Sequence, residues 1–330
     1  MIIGFDKIKD ILHGVVYTEE KDGKLILHRF TKAQEEAYKP YNADFYKKVF
    51  ATAGVTLEFT TDSTILSLSA CISAASSRKF FSFDVYSNGN LIKTASGIMP
   101  MEQADFEFTA ELGEGKKLIT VYFPWSAVAQ IYSLSLDDGA EVSPMGRPYK
   151  MISFGDSITH GYDAKNPSFS YASRLADALR AEAINKGIGG EVFFPALAEL
   201  SDDIAPDYIT VAYGTNDWSH CKDDQGKERF DTNCKEFYKT LSAKYPSAKI
   251  FAVTPIWRGD IDRDTQVVPF NYIKEYISNV TATLPNVTVI DGIDLVPHDK
   301  PCFSPDVLHP NDAGFRHYAN NLYAEIKKYI

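Results

Sequence analysis

The sequence lacks the excess of positive charge that proteins need to bind nucleic acid or anionic membranes. Its 330 residues carry a formal net charge of −10. Lysines and arginines occur in short, scattered pairs, such as Lys47-Lys48 and Lys116-Lys117, and not in a basic stretch. Because clustered basic side chains are what bind phosphate backbones, we expect no nucleic-acid partner and no membrane partner.

The sequence also lacks a long apolar run and a recognisable secretion signal. No segment approaches the roughly 18–20 apolar residues of a membrane-spanning helix. Charged residues interrupt the N-terminal segment from Met1 to Gly14, and no small-residue cleavage site follows it. We therefore expect a soluble, cytoplasmic protein, with a secreted form whose signal has been removed as the alternative.

Cysteine is scarce and follows no pattern. The cysteines form no Cys-x-x-Cys or Cys/His spacing of the kind that binds zinc, and the chain has no His-Glu-x-x-His motif. We therefore expect no metal site and no cofactor. Unpaired buried thiols are the favoured interpretation, and a disulfide between Cys221 and Cys234 is the alternative. The four cysteines are Cys71, Cys221, Cys234 and Cys302.

Residues 1–145 have the pattern of an all-β domain. Apolar and polar residues alternate in segments such as 55–59 and 81–86, as they do in strands with one buried face. The dipeptide Asn88-Gly89 between two such segments is typical of a two-residue hairpin turn. Short strands at this spacing predict a β-sandwich or jelly roll.

Residues 146–330 have a different pattern, in which apolar strands alternate with segments of helical periodicity. The stretch from Ser143 to Pro148 reads as the linker between the two domains. Strands alternating with helices predict a parallel sheet covered on both faces, that is, a three-layer α/β/α domain. The active site of such a domain lies beyond the carboxyl ends of the strands. The predicted strands are 150–154, 208–213, 250–253 and 287–290.

A Gly-Asp-Ser tripeptide follows the first predicted strand of the second domain. At a strand-to-helix turn, Ser157 would stand at the sheet edge, and its N–H would help to line an anion site. An ordinary helix cap is the alternative, because aspartate and serine are preferred at that position. Ser157 is therefore a candidate nucleophile whose assignment depends on the other motifs.

Two further blocks offer hydrogen-bond donors for an oxyanion. The glycines of the block Asn185–Gly190 let the backbone present an N–H group inward, with a plain loop as the alternative. Their spacing is not the Gly-x-Gly-x-x-Gly of dinucleotide sites. Asn216 follows a strongly apolar strand and can donate from its side-chain amide, with an ordinary turn as the alternative.

His309 is the candidate general base. It is the only histidine with an acidic residue, Asp306, three positions earlier in a loop at a helix start. That carboxylate can orient the ring and stabilise the imidazolium that forms on proton uptake. A structural or surface role is the favoured interpretation for the other histidines, which are His13, His28, His160, His220, His298 and His317.

Taken together, the four blocks make residues 150–330 resemble the SGNH (GDSL) hydrolase superfamily. The match lies in the Gly-Asp-Ser, Asn-x-Gly-x-x-Gly, Gly-x-Asn-Asp and Asp-x-x-His blocks, and Ile158 stands where the family's name has leucine. The resemblance implies a flavodoxin-like α/β/α fold. It also implies Ser157 as nucleophile, His309 as general base and Asp306 as the residue that orients the histidine.

The resemblance further implies an oxyanion hole and a reaction that needs no metal or cofactor. The donors would be the N–H groups of Ser157 and Gly190 and the side chain of Asn216. Gly189 adjoins Gly190, which leaves the glycine register open. Some members of the superfamily use a Ser-His dyad, which leaves the requirement for Asp306 open as well.

A β-sandwich before such a domain is similar to the arrangement in some bacterial carbohydrate esterases. This resemblance implies a small-molecule or glycan ester as substrate, with a short acyl group and acetyl first. The state of assembly stays open, and an oligomer is compatible with the sequence.

Trp218, beside the Asn216 block, and Trp257, after a strand end, are candidates for stacking on a sugar, with plain packing as the alternative. Trp125 is a candidate for either binding or the core.

Two other functions stay compatible with the sequence. One is hydrolysis of a different ester, such as a lysophospholipid or a thioester, although the chain shows no long apolar lid segment. The other is a non-catalytic glycan-binding protein with a relic hydrolase domain. Intact Ser157, Asn216 and His309 argue against a relic, because glycan binding gives no chemical reason to keep all three. We therefore predict a serine esterase of short acyl esters.

Overall fold

The structure is a computed structural model, and it describes residues 1–200, 202 and 204–330. Two antiparallel sheets form the first part of the chain. The strands are β1 (Ile2–Ile3), β2 (Leu12–His13), β3 (Tyr17–Lys21), β4 (Lys24–His28), β5 (Thr56–Thr61), β6 (Ile65–Ala74), β7 (Phe80–Ser87), β8 (Asn90–Ile98), β9 (Gln103–Glu111), β10 (Lys117–Tyr122), β11 (Ala127–Leu136) and β12 (Ser143–Pro144). One sheet has the order β3-β4-β11-β6-β9, with β1 on β11. The other has the order β12-β5-β10-β7-β8, with β2 on β5.

The inward faces of these two sheets share one apolar core. Alternation along the strands places Leu57, Phe59 and Val121 from one sheet against Leu68 and Ile131 from the other, and all five side chains are fully buried. Apolar surface removed from water on both inner faces is the main stabilising contribution to such a sandwich. The predicted β-sandwich in the first part of the chain is confirmed.

The hairpin between β7 and β8 has the turn that the sequence predicts. Asn88 and Gly89 have φ angles of 49° and 79°, the left-handed conformation that a two-residue type I′ turn requires at both positions. Ser87 pairs with Asn90 across this turn. The dipeptide therefore sets the register of the two strands.

Helices in the first part of the chain were not predicted, and two of them pack outside the sandwich. They are α1 (Phe5–Asp10), α2 (Lys32–Tyr41) and α3 (Ala43–Lys48). Thr31 begins α2 with a capping box, because its side chain accepts from the Gln34 N–H while the Gln34 side chain accepts from Thr31. Phe30, Tyr38 and Val49 are fully buried in the core of the second domain. We refer to residues 29–51 as the helical segment.

The second part of the chain contains a parallel five-stranded sheet. Its strands are β13 (Tyr149–Gly155), β14 (Ala181–Asn185), β15 (Tyr208–Ala212), β16 (Lys249–Val253) and β17 (Val287–Ile290). They are paired in the order β14-β13-β15-β16-β17, and every pairing is parallel. This is the flavodoxin-like order, and it confirms the predicted fold. Of these strands, β14 was not predicted, because its sequence Ala-Glu-Ala-Ile-Asn carries little apolar signal.

Helices cover both faces of this sheet. One face packs against α8 and α9 through side chains such as Phe237 and Ile273, and the other against α5 and α10 through side chains such as Leu175 and Phe315. The helices are α4 (Ser157–His160), α5 (Tyr171–Leu179), α6 (Pro195–Glu199), α7 (Thr215–His220), α8 (Asp224–Lys244), α9 (Asn271–Thr281) and α10 (Asp312–Ile326), with short 3₁₀ turns at Pro167–Phe169 and Lys300–Cys302.

The described residues contain neither a membrane-spanning helix nor a disulfide. None of their helices has the length and apolar character needed to cross a bilayer. All four cysteines are free and buried, so Cys221 and Cys234 form no disulfide. The favoured interpretation of unpaired buried thiols is confirmed.

The sandwich and the parallel sheet are joined through buried polar contacts. Asp84 of the sandwich accepts from the Asn166 side chain at 2.7 Å and from the Ser168 hydroxyl at 2.5 Å. The Trp125 indole donates to the Ala164 carbonyl at 3.0 Å, and this side chain is almost fully buried. Trp125 is therefore a packing residue at the junction. These contacts hold the loop that follows α4 against the sandwich.

Candidate active site

Ser157 begins α4 directly after β13, at the carboxyl edge of the sheet. Asp156 is the N-cap of this helix and accepts from the Ile158 N–H at 2.9 Å. A side chain at Gly155 would lie 2.1 Å from the Thr159 hydroxyl and 2.9 Å from the Ala212 carbonyl, so only glycine allows this tight passage from strand to helix. The turn presents the serine at the end of the strand, as the sequence predicts.

Ser157, His309 and Asp306 lie in one hydrogen-bonded line. The serine hydroxyl is 2.8 Å from Nε2 of His309, and Nδ1 of the same ring is 2.6 Å from the Asp306 carboxylate. Because a carboxylate accepts, the proton of the neutral ring is assigned to Nδ1, which leaves Nε2 free to accept from the serine. This is the arrangement that activates a serine hydroxyl.

Asp306 is held in its charged form by its own loop. Burial opposes its ionisation, but hydrogen bonds from the His309 ring and from the N–H groups of Leu308 and His309 keep its pKa well below the ordinary value. The carboxylate is therefore negative at neutral pH. It is suited to orient the ring and stabilise the imidazolium.

The two glycines at the end of the glycine block differ in what their N–H groups bond. The Gly189 N–H donates to Nδ1 of His160 at 3.3 Å, whereas the Gly190 N–H has no hydrogen-bond partner among the described residues. Gly190 has φ +91°, which a residue with a side chain rarely adopts. The Ile188 N–H donates to the Gly155 carbonyl at 3.0 Å and so ties this block to the nucleophile strand. The geometry favours Gly190 over Gly189 as the oxyanion donor.

Asn216 lies at the start of α7, after β15. Its side-chain amide donates to the Glu191 carbonyl at 2.9 Å. A primary amide has two N–H groups, so this bond orients the second for another acceptor. This bond ties the start of α7 to the residue that follows Gly190 in the chain.

The helical segment holds the glycine block from outside, which sequence reasoning missed. The buried Arg29 guanidinium donates to the carbonyls of Asn185 and Gly187, and the Lys48 ammonium donates to the Gly189 carbonyl at 2.8 Å. Burial lowers the pKa of Arg29 to about 9, so it stays charged at neutral pH. A guanidinium that satisfies several buried carbonyls fixes their backbone in one conformation.

Three buried carboxyl groups surround the site. Burial raises the pKa of Asp156 to about 6 and that of Asp217 to about 7. Burial also raises the pKa of Glu191, which accepts hydrogen bonds from the hydroxyls of Tyr38 and Tyr213. The site is therefore less negative at neutral pH than its residue types suggest, which favours a developing oxyanion.

A second carboxylate and an arginine stand behind His309, and neither was predicted. Asp163 lies 3.8 Å from Nδ1 of His309, and Arg78 of the sandwich forms a two-pronged ion pair with Asp163. The Tyr162 ring stacks on the His309 ring with their centroids 5.8 Å apart. No motif in the sequence marks these residues, because Arg78 is 85 positions from Asp163.

One group of side chains among the described residues has the spacing of a possible metal site. Ligand atoms of Asp163, Asp306 and His309 all lie within 4.8 Å of one another. The Asp163 carboxylate is already engaged by Arg78, and Asp306 by the His309 ring. A cation at this position would compete with the arginine and with the histidine proton, so the donor set fits a hydrogen-bonded network better than a metal site.

The structure corrects one of the two tryptophans proposed for sugar stacking. Trp218 is fully buried, donates to the Val268 carbonyl at 3.0 Å and is covered by the guanidinium groups of Arg258 and Arg263. It has no face for a sugar, and the packing alternative is the right one. The Asn-Asp-Trp sequence placed it near Asn216, but the helical turn directs it inward.

Trp257 keeps part of its surface exposed. Its ring is stacked on that of His298, with centroids 5.3 Å apart and planes at 13°, and Phe303 meets it edge-on. The backbone N–H of Gly259, two residues on, donates to the Val307 carbonyl in the loop that carries His309. Trp257 therefore lies at the rim beside His309 and stays a candidate for substrate contact.

Comparison with known proteins shows the family and the fold of the chain. A sequence model described as the GDSL-like lipase/acylhydrolase family matches residues 153–317, which include all four blocks. No curated protein matches the chain. Among solved structures, a salicylyl-acyltransferase from a tetracycline biosynthetic pathway is 22% identical, with 96% of this chain and 94% of that chain covered and a TM-score of 0.82.

Two carbohydrate esterases are also similar in structure. One is a family two carbohydrate esterase from Clostridium thermocellum in complex with cellohexaose, at 20% identity, 84% and 93% coverage of the two chains and a TM-score of 0.66. The other is an acetyl xylan esterase from the rumen bacterium Butyrivibrio proteoclasticus, at 15% identity, 97% and 95% coverage and a TM-score of 0.64. At these identities the similarity shows a shared fold, including the sandwich in front.

Proposed function

The chain belongs to the GDSL-like lipase/acylhydrolase family and is a carboxylic ester hydrolase, and we propose a substrate class and a mechanism for it. It removes short acyl groups, with acetyl preferred, from carbohydrate esters. The reaction proceeds through an acyl-enzyme on Ser157. One observation carries the proposed mechanism. The Ser157 hydroxyl is within 2.8 Å of a histidine nitrogen whose ring is oriented by a charged carboxylate.

The proposed reaction has two halves that use the same base. Nε2 of His309 takes the hydroxyl proton while Oγ of Ser157 attacks the ester carbonyl. The imidazolium then gives that proton to the departing alcohol oxygen, and the acyl group stays on the serine. Water enters, and His309 takes one of its protons while the water oxygen attacks the acyl-enzyme carbonyl. The bond from the acyl group to Oγ of Ser157 then breaks, the imidazolium returns the proton to Oγ, and the acid is released.

Charge develops on the carbonyl oxygen in both halves. The N–H groups of Ser157 and Gly190 and the Asn216 amide are the proposed donors to it. Removal of one donor of such a hole typically costs about 10²–10³ in rate. The free Gly190 N–H and the preset Asn216 amide support this assignment, because donors that are already oriented need no rearrangement during the reaction.

Aromatic residues of the helical segment support a short acyl group. A Cβ at Gly190 would lie 3.4 Å from the Phe45 ring, so that ring packs directly against the proposed oxyanion donor. Tyr41 stacks on Phe194 at 4.1 Å and approaches Phe45 from the side. Bulk this close to Gly190 limits the room for a long acyl chain. The part of Trp257 that stays exposed beside His298 and Phe303 is the proposed aromatic contact for a sugar.

Acid release from a panel of acetylated sugars and oligosaccharides tests the substrate class. We expect Ser157-dependent acetate release, and we expect p-nitrophenyl acetate to be cleaved faster than p-nitrophenyl octanoate. A preference for octanoate would favour a lysophospholipid or thioester hydrolase instead. Saturable glycan binding without Ser157-dependent turnover would favour a non-catalytic glycan-binding protein.

Trp257→Ala provides the matched variant for the sugar. Loss of the stacking face is expected to raise KM for an acetylated oligosaccharide about 5- to 20-fold, as expected for about 1–2 kcal/mol of aromatic contact. It should leave hydrolysis of p-nitrophenyl acetate within about twofold of the unmodified protein, because that ester has no sugar. Equal effects on both esters would show that Trp257 supports the His309 loop and not the sugar.

A further inference from the structure

We propose that Asp163, held in place by Arg78 of the sandwich, is a second positioning carboxylate for His309, and that the pair sets the pH at which this base works. The inference rests on the proposed role of His309 as general base. It gives the sandwich a direct part in catalysis, beyond any contact with substrate.

The first observation is the position of Asp163 relative to the catalytic ring. Its Oδ2 atom is 3.8 Å from Nδ1 of His309, the same nitrogen that bonds Asp306 at 2.6 Å. Both carboxylates therefore lie near the same ring nitrogen, with Asp306 in hydrogen-bond contact and Asp163 just beyond it. Only 14% of the Asp163 side chain is exposed, against 40% for Asp306. Water therefore screens the charge of Asp163 less than it screens the charge of Asp306.

The second observation is the ion pair that fixes Asp163. Nε and Nη2 of Arg78 donate to the two carboxylate oxygens at 2.6 and 2.8 Å. Two parallel bonds from a planar guanidinium define both the position and the orientation of a carboxylate. Hydrogen bonding to Asp163 raises the pKa of Arg78, so the arginine is charged whenever the enzyme is active. Arg78 lies in the loop between β6 and β7.

A second contact links Arg78 to the catalytic ring. Its guanidinium lies over the Tyr162 ring, 5.1 Å from the centroid, and the same ring stacks on His309. The sandwich thus reaches the histidine by two routes, one through a carboxylate and one through an aromatic ring. The carboxylate route ends at Nδ1, the ring nitrogen away from Ser157, and the aromatic route ends on the face of the ring.

The loop that carries Asp163 is anchored on both sides. Asp163 itself has φ +71°, a conformation that residues other than glycine adopt only when their surroundings enforce it. The next residues are tied down by the bond from Trp125 to the Ala164 carbonyl and by a bond from the Lys165 N–H to Asp312 at 2.8 Å. This strained and anchored backbone directs the carboxylate at the histidine.

The charges around His309 predict opposite effects for the two partners. Asp163 and Asp306 favour the imidazolium, and Arg78 opposes it by neutralising Asp163. Removing Asp163 should make His309 lose its proton at lower pH, whereas removing Arg78 should make it hold the proton to higher pH. The groups that face this ring are Asp306 on its own loop, Asp163 and Tyr162 on the loop after α4, Arg78 through Asp163, and Asp156 behind Ser157.

The pH dependence of kcat/KM for p-nitrophenyl acetate tests the inference on the full chain. Since the base must be unprotonated, the acidic limb of the profile reports its protonation. We expect Asp163→Asn to move this limb to lower pH and Arg78→Gln to move it to higher pH, each by about 0.5–1 unit, because each variant removes one charge near the ring and leaves its former partner unneutralised. Asp156 is common to all variants and cannot produce opposite shifts.

The same two variants distinguish this role from a purely structural ion pair. Either substitution breaks the pair, so a structural role predicts similar losses of thermal stability and acidic limbs that stay together. That result would overturn the inference. Arg78 lies partly at the surface, so Arg78→Gln alone tests the predicted direction even if Asp163→Asn fails to fold.

A double-variant comparison tests whether Asp163 supports the same ring as Asp306. Asp163→Asn alone should lower kcat a few-fold, whereas the same change added to Asp306→Ala should lower it by a further factor of about 10 or more, because the ring then has no carboxylate partner. Equal factors in both backgrounds would contradict the inference. Absence of Ser157-dependent hydrolysis in the unmodified protein would contradict the proposed function itself, and the inference with it.

Discussion

The N–H of Gly189 donates to Nδ1 of His160, which leaves the N–H of the next residue, Gly190, as the one of the two that has no hydrogen-bond partner among the described residues. His160 can accept at Nδ1 only if its proton is on Nε2, which donates to the Trp125 carbonyl at 2.8 Å. Burial lowers the pKa of His160 well below its ordinary value, so the ring stays neutral. A buried histidine thereby fixes the register of the proposed oxyanion hole.

Arg29 and Lys48 donate to carbonyls of the glycine block, and we call these contacts the clamp. The clamp should affect the turnover rate more than the stability of the fold. Lys48→Met removes the ammonium that donates to the Gly189 carbonyl, and we expect kcat to fall about 5- to 20-fold because the donor next to it is less well positioned. KM should change little. Lys47→Met, on the exposed side of α3, is the control and should behave as the unmodified protein. A similar loss in both variants would contradict a specific clamp.

The Asn216 amide should act in the transition state. Asn216→Ala is expected to lower kcat about 10²- to 10³-fold with KM nearly unchanged, because the donor is lost where charge develops. The measurement is steady-state hydrolysis of p-nitrophenyl acetate. Asn271→Ala, at the exposed start of α9, is the control. A large rise in KM without a fall in kcat would assign Asn216 to substrate binding.

Asp217 should make the stability of the fold depend on pH. Its pKa is raised from 3.8 to about 7 by burial, and one carboxylate oxygen has no hydrogen-bond partner among the described residues. In the folded protein Asp217 therefore keeps a proton that the unfolded chain releases near pH 4. Because only the unfolded chain releases this proton between about pH 4 and 7, the free energy of unfolding falls as the pH rises through that range.

Asp217→Asn removes this loss, because asparagine does not ionise and can still accept from the Phe193 N–H. Its stability relative to the unmodified protein should be about 2–3 kcal/mol more favourable at pH 8 than at pH 5. Urea unfolding at the two pH values measures the difference. Asp264→Asn, at an exposed position, should show none. A constant difference at both pH values would mean that Asp217 is ionised in the folded protein throughout.

The sequence predicted the parts of the site that depend on local signals. Ser157, Asn216 and His309 each follow a strand end or precede a helix, and their blocks are recognisable because the turn chemistry and the reacting residue lie within a few positions. The parallel sheet then brings separate strand ends to one edge. Local patterns of this kind are therefore sufficient to predict the fold class and the residues that surround the nucleophile.

Residues that act across long sequence separations could not be predicted in this way. Arg29 reaches the carbonyl of Asn185 from 156 positions away, and Arg78 reaches Asp163 from 85. Neither lies in a periodic pattern or a motif, because a single arginine that satisfies buried groups leaves no local signature. The burial of Trp218 was missed for a related reason, since its position near Asn216 says nothing about the side of the helical turn on which it projects.

Covalent labelling of the nucleophile is the most direct test of the account. The protein would be incubated with a fluorophosphonate, which reacts with activated serine hydroxyls, and the site of the adduct mapped by mass spectrometry of its peptides. The account predicts a single adduct on Ser157, with loss of esterase activity in proportion to labelling, and no adduct in Ser157→Ala or His309→Ala. Labelling at another serine, or undiminished ester hydrolysis by Ser157→Ala, would contradict it.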